Sequence, residues 1–353
     1  MIITNFKVSP LRAELLQPFR TALGDHNVLE NVLCSLELSD RTIGYGEAAV
    51  ATHITGETLQ ETQRNLERVG QSLIGRDASD YLNLSAELHD RLLTNKCALA
   101  SIEIAIMDAL TRHWKMPLWK FFGSKPRRLA SDITIVIADL QETEHSVKIF
   151  YKQGFRAFKV KIGRDEDLDV KRVVAVKRLA PRAAIYLDAN QGYDAKQTLR
   201  FLKRIAKDGV RPQLIEQPVP RDDWDGLRKV TKDSKVRVCA DESVRSLSEA
   251  VAIIDQKAAQ VINIKIMKTG IFESREIALL AKAKGVGLMI GGMMETSLAM
   301  TSSAHMAAGL GCFDFIDLDT PFFIKGAVGK NPWLNKRGIY DLARSRDGIG
   351  IKP

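Results

Sequence analysis

The sequence predicts an α/β fold, a modified TIM barrel of (β/α)7β type that follows an N-terminal α+β capping domain. Before residue 120 the chain carries strand patterns and then helix patterns, and after residue 130 short apolar runs alternate with amphipathic helical stretches. A chain of 353 residues, 45% hydrophobic and 27% charged, is long and apolar enough for this architecture. We expect the cap at residues 1–122, the barrel at 123–320, and a C-terminal segment, 321–353, that returns to the cap.

The capping domain is predicted from the order of its elements. Strands are expected at Ile2–Val8, Asn31–Leu38 and Thr42–Ala48. The stretch Gln17–Val28 is rich in Gly, Asp and Asn, and it is expected to be a loop between the first two strands. Helical spacing of apolar residues then predicts helices at Glu57–Leu73, Ala78–Leu93 and Lys96–Trp114.

The barrel is predicted from eight short runs, rich in β-branched residues, at near-constant spacing. These runs are Ile133–Ile137, Ala157–Ile162, Ala184–Leu187, Gln213–Glu216, Val236–Ala240, Val261–Ile266, Gly287–Ile290 and Phe315–Leu318. Buried strands that alternate with helices pair in parallel, and eight of them close into a barrel. No further strand–helix unit follows the eighth run, so the pattern is seven units and one final strand.

Charged residues recur at or just past the ends of these runs. Six of them lie one or two barrel units apart: Lys161, Asp188, Glu216, Asp241, Lys265 and Asp317. The carboxyl ends of barrel strands meet at one face, where the active sites of such barrels lie. Because charged residues are rare in buried positions, this repeat predicts a polar site at that face.

Three acids on consecutive strands predict a metal site. Asp188, Glu216 and Asp241 together offer hard oxygen ligands, which suit one Mg²⁺ ion per subunit with positions left open for substrate. A single acid of this kind would more often cap a helix or pair with a lysine. Three acids in register favour the metal over that alternative.

The lysines of the same strand ends predict acid–base chemistry. Lys159 and Lys161 lie two apart on one strand and face the same way, and Lys265 lies across the barrel from them. Burial and a neighbouring positive charge lower the pKa of a lysine, and Lys268 is a candidate neighbour of Lys265. The alternative is that these lysines are structural partners of the acids. Lysines on both sides of a metal-bound carboxylate suggest that one removes an α-proton and the other returns it on the opposite face.

Five motifs in fixed order carry a family resemblance. They are Phe158–Ile162 (Phe-Lys-Val-Lys-Ile), Leu187–Asn190 (Leu-Asp-Ala-Asn), Ile215–Pro218 (Ile-Glu-Gln-Pro), Ala240–Ser243 (Ala-Asp-Glu-Ser) and Asn263–Lys268 (Asn-Ile-Lys-Ile-Met-Lys). With them the chain resembles, over essentially its whole length, the muconate lactonizing enzyme subgroup of the enolase superfamily. The mandelate racemase branch would carry a His–Asp pair where Lys265 stands, so that branch is disfavoured. His305 is expected to be a packed helix residue rather than a base.

The eighth strand discriminates within the subgroup. Asp317 and Asp319 share one face of this strand, and they resemble the pair with which dipeptide epimerases hold the α-ammonium of the substrate. Two buried carboxylates at a barrel mouth need a cation, and the alternative is an ion pair with Lys325 or an arginine of the tail. The resemblance implies that further residues contact the dipeptide, namely Thr134, Lys159, Gly292, Met293 and Met294.

Two departures from the family pattern bear on specificity. Gly24 stands where epimerases specific for Ala-Glu carry an arginine that would pair with the glutamate side chain, so Asp25 or His26 could reach the substrate instead. A Gly-Ile pair at 270–271 replaces the usual Gly-Gly, a change expected to alter loop packing rather than chemistry. The cap loop at 53–56 is expected to close over the site and exclude water.

The resemblance implies an isomerase, a Mg²⁺-dependent dipeptide epimerase. It would move a proton at the α-carbon of the C-terminal residue through an enediolate intermediate, with Lys161 and Lys265 as the acid–base groups. The alternatives within the subgroup are N-acylamino acid racemase, o-succinylbenzoate synthase and muconate cycloisomerase. The racemases of N-acylamino acids and the o-succinylbenzoate synthases bind no free ammonium. The resemblance also implies a homo-oligomer.

Composition favours a small-molecule partner and a cytoplasmic location, and the resemblance implies that this partner is a dipeptide. The net charge is +9, but residues 325–353 hold seven Lys and Arg against two Asp, and no nucleic-acid-binding motif accompanies them. We therefore expect no nucleic-acid partner. Four scattered cysteines without a CxxC pair predict a reduced compartment. Because the N-terminus lacks a signal-peptide core and no stretch is apolar enough to span a bilayer, we expect no membrane partner.

Overall fold

The chain begins with an antiparallel sheet that is covered by helices. The computed structural model describes residues 1–123 and 126–353. The sheet has the order β1–β2–β3, with β1 at Ile3–Thr21, β2 at Gly24–Leu38 and β3 at Ile43–Ala48. The helices of this part are α1 (Thr52–Thr55), α2 (Leu59–Gln71), α3 (Tyr81–Arg91), α4 (Lys96–His113) and α5 (Trp119–Phe122). This is the α+β cap that the sequence predicts.

The expectation of a loop at Gln17–Val28 is wrong, because β1 and β2 form one long hairpin. Phe19 pairs with His26 and Thr21 pairs with Gly24, which leaves a two-residue turn at the tip. Most side chains of these arms are exposed or half-buried on both faces. The alternation of apolar and polar residues that marks a half-buried strand is therefore missing from the sequence here.

The second part of the chain is an eight-stranded parallel sheet, in which each strand pairs with the next along the chain. A short strand β4 (Leu129–Ala130) precedes it. The strands are β5 (Ile133–Ile135), β6 (Ala157–Lys161), β7 (Ala184–Asp188), β8 (Leu214–Glu216), β9 (Arg237–Ala240), β10 (Val261–Ile264), β11 (Gly287–Ile290) and β12 (Phe315–Ile316). The sheet curls until its edges meet, and Asp132 N donates to Ile316 O at 2.9 Å between the first strand and the last.

Seven helices alternate with these strands. They are α6 (Leu140–Gln153), α7 (Glu166–Leu179), α8 (Ala195–Lys207), α9 (Trp224–Asp233), α10 (Leu247–Asp255), α11 (Ile266–Lys284) and α12 (Ser297–Leu310). A 3₁₀ turn at Thr320–Phe322 follows β12 in the place of an eighth barrel helix. The predicted fold class, a (β/α)7β barrel with an N-terminal α+β cap, is therefore confirmed.

The register of the barrel strands places the charged strand ends side by side. Lys161 on β6 lies opposite Asp188 on β7, which in turn lies opposite Glu216 on β8. Asp241 and Lys265 directly follow β9 and β10. An apolar cluster fills the other part of the barrel interior, formed by Tyr186, Leu214, Cys239, Val261, Met289 and Phe315. The barrel thus has an apolar floor and a polar mouth.

Helix α4 joins the cap to the barrel. Strand β3 lies against this helix backbone to backbone, because a Cβ on Gly46 would come within 1.9 Å of Ser101 O and one on Gly44 within 2.1 Å of Ala105 O. Elsewhere α4 packs on the barrel helix α11. A helix that is buried nearly all round therefore couples the two parts of the chain.

The chain after the barrel touches both parts. Helix α13 (Ala327–Lys330) and strand β13 (Ile339–Tyr340) lie in this segment, and β13 pairs antiparallel with β4. Towards the end of the chain, Ile349 N donates to Asp108 Oδ1 at 2.7 Å and Arg112 donates to Ile351 O at 3.0 Å. Across the described residues, no helix combines the length and the hydropathy that crossing a membrane requires.

Candidate active site

A cavity of about 60 Å³ lies where the cap covers the carboxyl ends of the strands. The barrel contributes all of the residues that the sequence predicts for proton transfer and substrate binding: Thr134, Lys159, Lys161, Lys265, Gly292, Met293, Met294, Asp317 and Asp319. The cap contributes its hairpin and the segment that leads into α1. The structure therefore brings the predicted side chains together at one place.

The three predicted metal ligands lie at the base of this site and are fully buried. Lys161 Nζ lies 2.6 Å from Asp188 Oδ2, and Lys265 Nζ lies 2.7 Å from Asp241 Oδ2. Lys268 Nζ lies 2.8 Å from the other carboxylate oxygen of Asp241, so the two lysines are neighbours as the sequence predicts. The pairing of lysines with acids that the sequence leaves open as the alternative is thus present in the structure.

Lys159 links the two groups of acids. Its Nζ lies 3.0 Å from Asp188 Oδ2, 2.8 Å from Glu216 Oε2 and 2.7 Å from Asp317 Oδ2. The contact with Asp317 is a well-directed hydrogen bond, and the other two are ion pairs. Lys159 is therefore the cation shared by the candidate metal ligands and the eighth strand.

The charges shift the pKa values of these groups in different directions. Burial and then the charge of Asp188 raise the pKa of Glu216 to about 8. Burial would raise the pKa of Asp188, but the charges of Lys159 and Lys161 outweigh it and lower that pKa to about 2. Of the three acids, Glu216 is therefore the one whose negative charge the lysines offset least.

The pKa of Lys265 is raised, whereas the sequence predicts that it is lowered. Burial lowers the pKa of Lys265, but the charges of Asp241 and Glu216 outweigh burial and raise it above its ordinary value. The sequence shows the neighbouring lysine but not that the carboxylate of Asp241 lies between the two ammonium groups. This carboxylate stabilises Lys265 in its charged form.

The donor set fits a hard divalent cation. Asp188, Glu216 and Asp241 supply carboxylate oxygens from three adjacent strands, and Glu216 Oε2 is a buried oxygen that receives no well-directed hydrogen bond. Its partner Oε1 accepts from Asn263 Nδ2 at 2.8 Å, which fixes the orientation of the carboxylate. A buried, under-coordinated carboxylate of this kind has capacity for a metal ligand bond.

A second acidic group lies beside the first, and the sequence predicts only part of it. Within residues 1–123 and 126–353, the acids whose ligand atoms all lie within 4.8 Å of one another are Asp132, Asp317 and Asp319. Asp319 Oδ2 accepts from Thr134 N at 2.5 Å. Asp132 was missed because a single acid before a strand carries no signal in a sequence. The alternative partner of this pair, Lys325, instead contacts Glu14 at 2.9 Å.

Polar side chains around the lysines hold the strand ends in place. Asn190 Oδ1 accepts from Lys161 Nζ at 3.1 Å. Gln217 Oε1 accepts from the backbone N–H groups of Asp241 and Ser243 at 3.0 and 3.1 Å. Both residues belong to the motifs that carry the family resemblance, so the signal was present in the sequence. What the sequence did not show was their partners.

The loop after β11 is tied to the cap. Asn31 Nδ2 donates to Met294 O at 2.9 Å and to Glu47 Oε1 at 2.7 Å, and Glu47 also accepts from Thr296 N at 2.9 Å. Within the loop, Met293 N donates to Glu295 Oε1 at 2.7 Å. These bonds fix the backbone that presents the two methionines to the cavity.

The cap places two histidines over the cavity. His26 Nε2 on the hairpin lies 3.0 Å from His53 Nε2 on α1, and both imidazoles line the cavity. Of the two side chains proposed to replace the missing arginine, His26 reaches the cavity and Asp25 pairs with Arg164 at 2.6 Å. His53 and Ile54 of the expected cap loop also line the cavity.

His305 lies away from this chemistry. It is buried on α12, its Nδ1 accepts from Trp119 N at 3.0 Å, and its Nε2 lies 3.1 Å from Ile349 O. Burial lowers its pKa to about 4. The prediction that His305 is a packed helix residue is therefore confirmed.

The fold and the site define a class, a capped α/β-barrel protein with buried acids and lysines at the carboxyl ends of its strands. Residues 3–123 match the mandelate racemase/muconate lactonizing enzyme N-terminal domain, and residues 142–353 match the enolase C-terminal domain-like family. The chain belongs to the mandelate racemase/muconate lactonizing enzyme family of the enolase superfamily. The resemblance inferred from the motifs is thus confirmed.

Relatives with similar sequences are dipeptide epimerases. The chain is 47% identical over 359 residues to a hydrophobic dipeptide epimerase of Citrifermentans bemidjiense, with 99% of this chain and 98% of that protein covered. It is 42% identical over 323 residues to an aromatic dipeptide epimerase of Herpetosiphon aurantiacus, with 91% of each covered. A dipeptide epimerase of Enterococcus faecalis, complexed with Mg and L-Leu-L-Tyr, superposes with a TM-score of 0.92 at 28% identity and 99% coverage of both chains.

Proposed function

We propose that this protein is a Mg²⁺-dependent dipeptide epimerase. One observation carries the proposal: the acid pair Asp317 and Asp319 lines the same cavity as Lys161 and Lys265. A dipeptide has an ammonium group at one end and an acidic α-carbon next to a carboxylate at the other. The acid pair suits the first end and the lysines suit the second. The relatives named as dipeptide epimerases support the same activity.

The two lysines would exchange one proton at the α-carbon of the C-terminal residue. One lysine, as the neutral amine, takes the α-proton as the C–H bond breaks, and the electron pair moves into the adjacent carboxylate to give an enediolate. The other lysine, as the ammonium, returns a proton to the opposite face. Three strands, β7, β8 and β9, separate Lys161 on β6 from Lys265 after β10 and carry the acids between them, which suits attack from two faces.

Asp188, Glu216 and Asp241 would hold one Mg²⁺ ion in each subunit. When bound, Mg²⁺ would offset the negative charge of these acids and of the substrate carboxylate as that carboxylate gains electron density. Lys159 would remain beside Asp317 and orient the acid pair. Thr134, Gly292, Met293 and Met294 would contact the backbone of the dipeptide, since they line the same cavity.

The side chains of the preferred dipeptide would be apolar. Among the described residues, those that line the cavity include no arginine, and its three lysines already pair with acids. Phe19, Val50, Ile54, Met293 and Met294 give the cavity an apolar wall. Relatives named for hydrophobic and aromatic dipeptides support this preference over an acidic residue.

A library of dipeptides in D₂O tests the proposal. We expect Mg²⁺-dependent incorporation of one deuterium at the C-terminal α-carbon, detected by mass spectrometry, with the highest rates for apolar residues. Ala-Glu is the matched acidic control. If no dipeptide in a broad library gains deuterium with Mg²⁺, the proposal fails. The same assay with N-acylamino acids, o-succinylbenzoate precursors and muconate tests the alternative activities of the subgroup.

We also propose a homo-oligomer in the cytoplasm. An apolar groove with Leu16 and Ile149, which are 63% and 47% exposed, lies beside Phe323 and supports self-association. The four cysteines are free thiols, three of them buried, which supports a reducing compartment. Light scattering after gel filtration tests the assembly, and a mass of 39.3 kDa would contradict it.

We propose the division 1–122, 123–320 and 321–353 for the three parts of the chain. The antiparallel sheet, the parallel barrel and the closing segment with β13 support it. Hydrogen exchange tests this division, because the backbone amides of the three segments should differ in their protection from exchange.

A further inference from the structure

A third carboxylate lies beneath the acid pair of the eighth strand. Asp132 precedes β5 by one residue, and its side chain points into the barrel on the same face as Thr134. It is only 1% exposed, and its ligand atom lies within 4.8 Å of those of Asp317 and Asp319. Neither the proposed proton transfer nor the proposed metal binding uses Asp132.

The surroundings of Asp132 hold no donor for an ionised carboxylate. Neither Oδ1 nor Oδ2 accepts a hydrogen bond from the described part of the chain. The cation that acts on Asp132 is Lys159, and this ammonium group already lies within 3.0 Å of carboxylate oxygens of Asp188, Glu216 and Asp317. A buried carboxylate without a donor, next to two others, has a large desolvation and repulsion cost.

A bound proton removes that cost. A neutral carboxylic acid has one O–H donor; carboxylate oxygens of Asp317 and Asp319 lie within 4.8 Å, and Asp317 is its side-chain hydrogen-bond partner. Burial raises the pKa of Asp132, and the charges of Asp317 and then Asp319 raise it further. The pKa shift and the geometry therefore agree.

We infer that Asp132 is a positioning residue, a neutral carboxylic acid whose O–H donates to Asp317 and orients the acid pair that receives the substrate ammonium. The role of the acid pair in binding the substrate ammonium rests on the proposed function. The presence of a proton on Asp132 does not depend on that function. Asp317 then has a donor on each side, Lys159 and Asp132. Its remaining lone pairs, with those of Asp319, face the cavity.

Two substitutions separate this role from a structural one. Asp132→Asn keeps a neutral side chain of the same shape with an N–H donor, so KM for the best dipeptide should stay within about twofold of the wild-type value. Asp132→Ala removes the donor, and KM should rise about tenfold. Because Asp132 does not line the cavity, kcat should change by less than about twofold in both variants.

Infrared difference spectra test the proton without any substrate. At neutral pH the wild type should show the carbonyl band of a protonated carboxylic acid that Asp132→Asn lacks. Glu103→Gln is the matched control, because Glu103 is another buried carboxyl with a raised pKa, about 7, and it lies outside the cavity. Its substitution should remove a different band and leave KM unchanged.

Three results would overturn the inference. Absence of the carbonyl band of a protonated acid from the difference spectrum between wild type and Asp132→Asn would show that Asp132 is ionised. A KM that rises equally in both Asp132 variants would show that the charge, rather than the donor, matters. Loss of the band on addition of Mg²⁺ would show that these three acids bind the metal. If the wild type epimerises no dipeptide, the proposed function fails, while the spectra still decide the state of Asp132.

Discussion

At the scale of single residues, the site is a set of buried charges that compensate one another. Lys159 contacts three acids from three strands, and Lys265 and Lys268 share Asp241. The sequence predicts these residues because charged strand ends recur at the barrel period. It could not predict which lysine pairs with which acid, because such pairs form across the barrel and depend on its closure.

Substitution of Asp317 tests how the site recognises the ammonium group of the substrate. In Asp317→Asn we expect kcat/KM for dipeptides to fall about a hundredfold, because a charge-assisted contact with the substrate ammonium is lost. Steady-state kinetics measure this, and the loss should reside mainly in KM. Asp314→Asn is the matched control, an exposed acid three residues earlier whose carboxylate accepts from Leu288 N. Equal effects of the two substitutions would argue against the assigned role.

At the scale of elements, local geometry determines which strands the sequence pattern predicts correctly. The eight barrel strands are predicted because each is a short apolar run, and six of these runs end at or next to a charged residue. The hairpin arms at 17–28 are missed because most of their side chains are exposed or half-buried on both faces, so no apolar alternation marks them. The long hairpin matters for the site, because it delivers Phe19 and His26 to the cavity.

The departure at 270–271 has a structural reason. Gly270 adopts φ +77° at a kink in α11, and a Cβ there would lie 2.3 Å from Glu103 Oε2. Ile271 N donates to the same oxygen at 2.6 Å. The first glycine is therefore required by the kink, whereas the second position needs only its backbone N–H.

Gly270→Ala should lower the free energy of unfolding by about 2–4 kcal/mol, since it combines a positive φ with a clash against buried Glu103. Urea denaturation measures this change. Gly285→Ala is the control, because Gly285 has φ +69° with open space around its Cβ position. It should lose only about 1 kcal/mol from backbone strain. A Gly270→Ala variant as stable as the control would mean that the kink is not fixed by this contact.

At the scale of the whole molecule, the cap and the barrel meet around Glu103. This buried carboxyl of α4 accepts from Ser85 Oγ at 2.5 Å and from Ile271 N at 2.6 Å, and His89 Nε2 lies 3.7 Å away. Burial raises the pKa of Glu103 to about 7 despite these bonds. The family match spans both parts, so the sequence indicates that they occur together. It does not indicate which groups meet at the joint.

Glu103 should make stability depend on pH. The folded chain keeps a proton on Glu103 up to about pH 7, whereas the unfolded chain releases it near 4.5. The folded state binds more protons between these values, so the free energy of unfolding should fall as pH rises from 4.5 to 7, by on the order of 3 kcal/mol. Urea denaturation across this range measures the slope. Glu103→Gln should flatten it, and an unchanged slope would assign the effect to other groups.

In the proposed mechanism, two lysines on opposite sides of one site exchange a proton with the α-carbon of a dipeptide. Deuterium exchange from D₂O, measured separately for each epimer of the best dipeptide with Mg²⁺, tests it most directly. We expect Lys161→Ala and Lys265→Ala to abolish epimerisation, and each to abolish α-proton exchange of a different epimer while the other epimer still exchanges. Loss of exchange for the same epimer in both variants, or epimerisation that survives either substitution, would contradict the account.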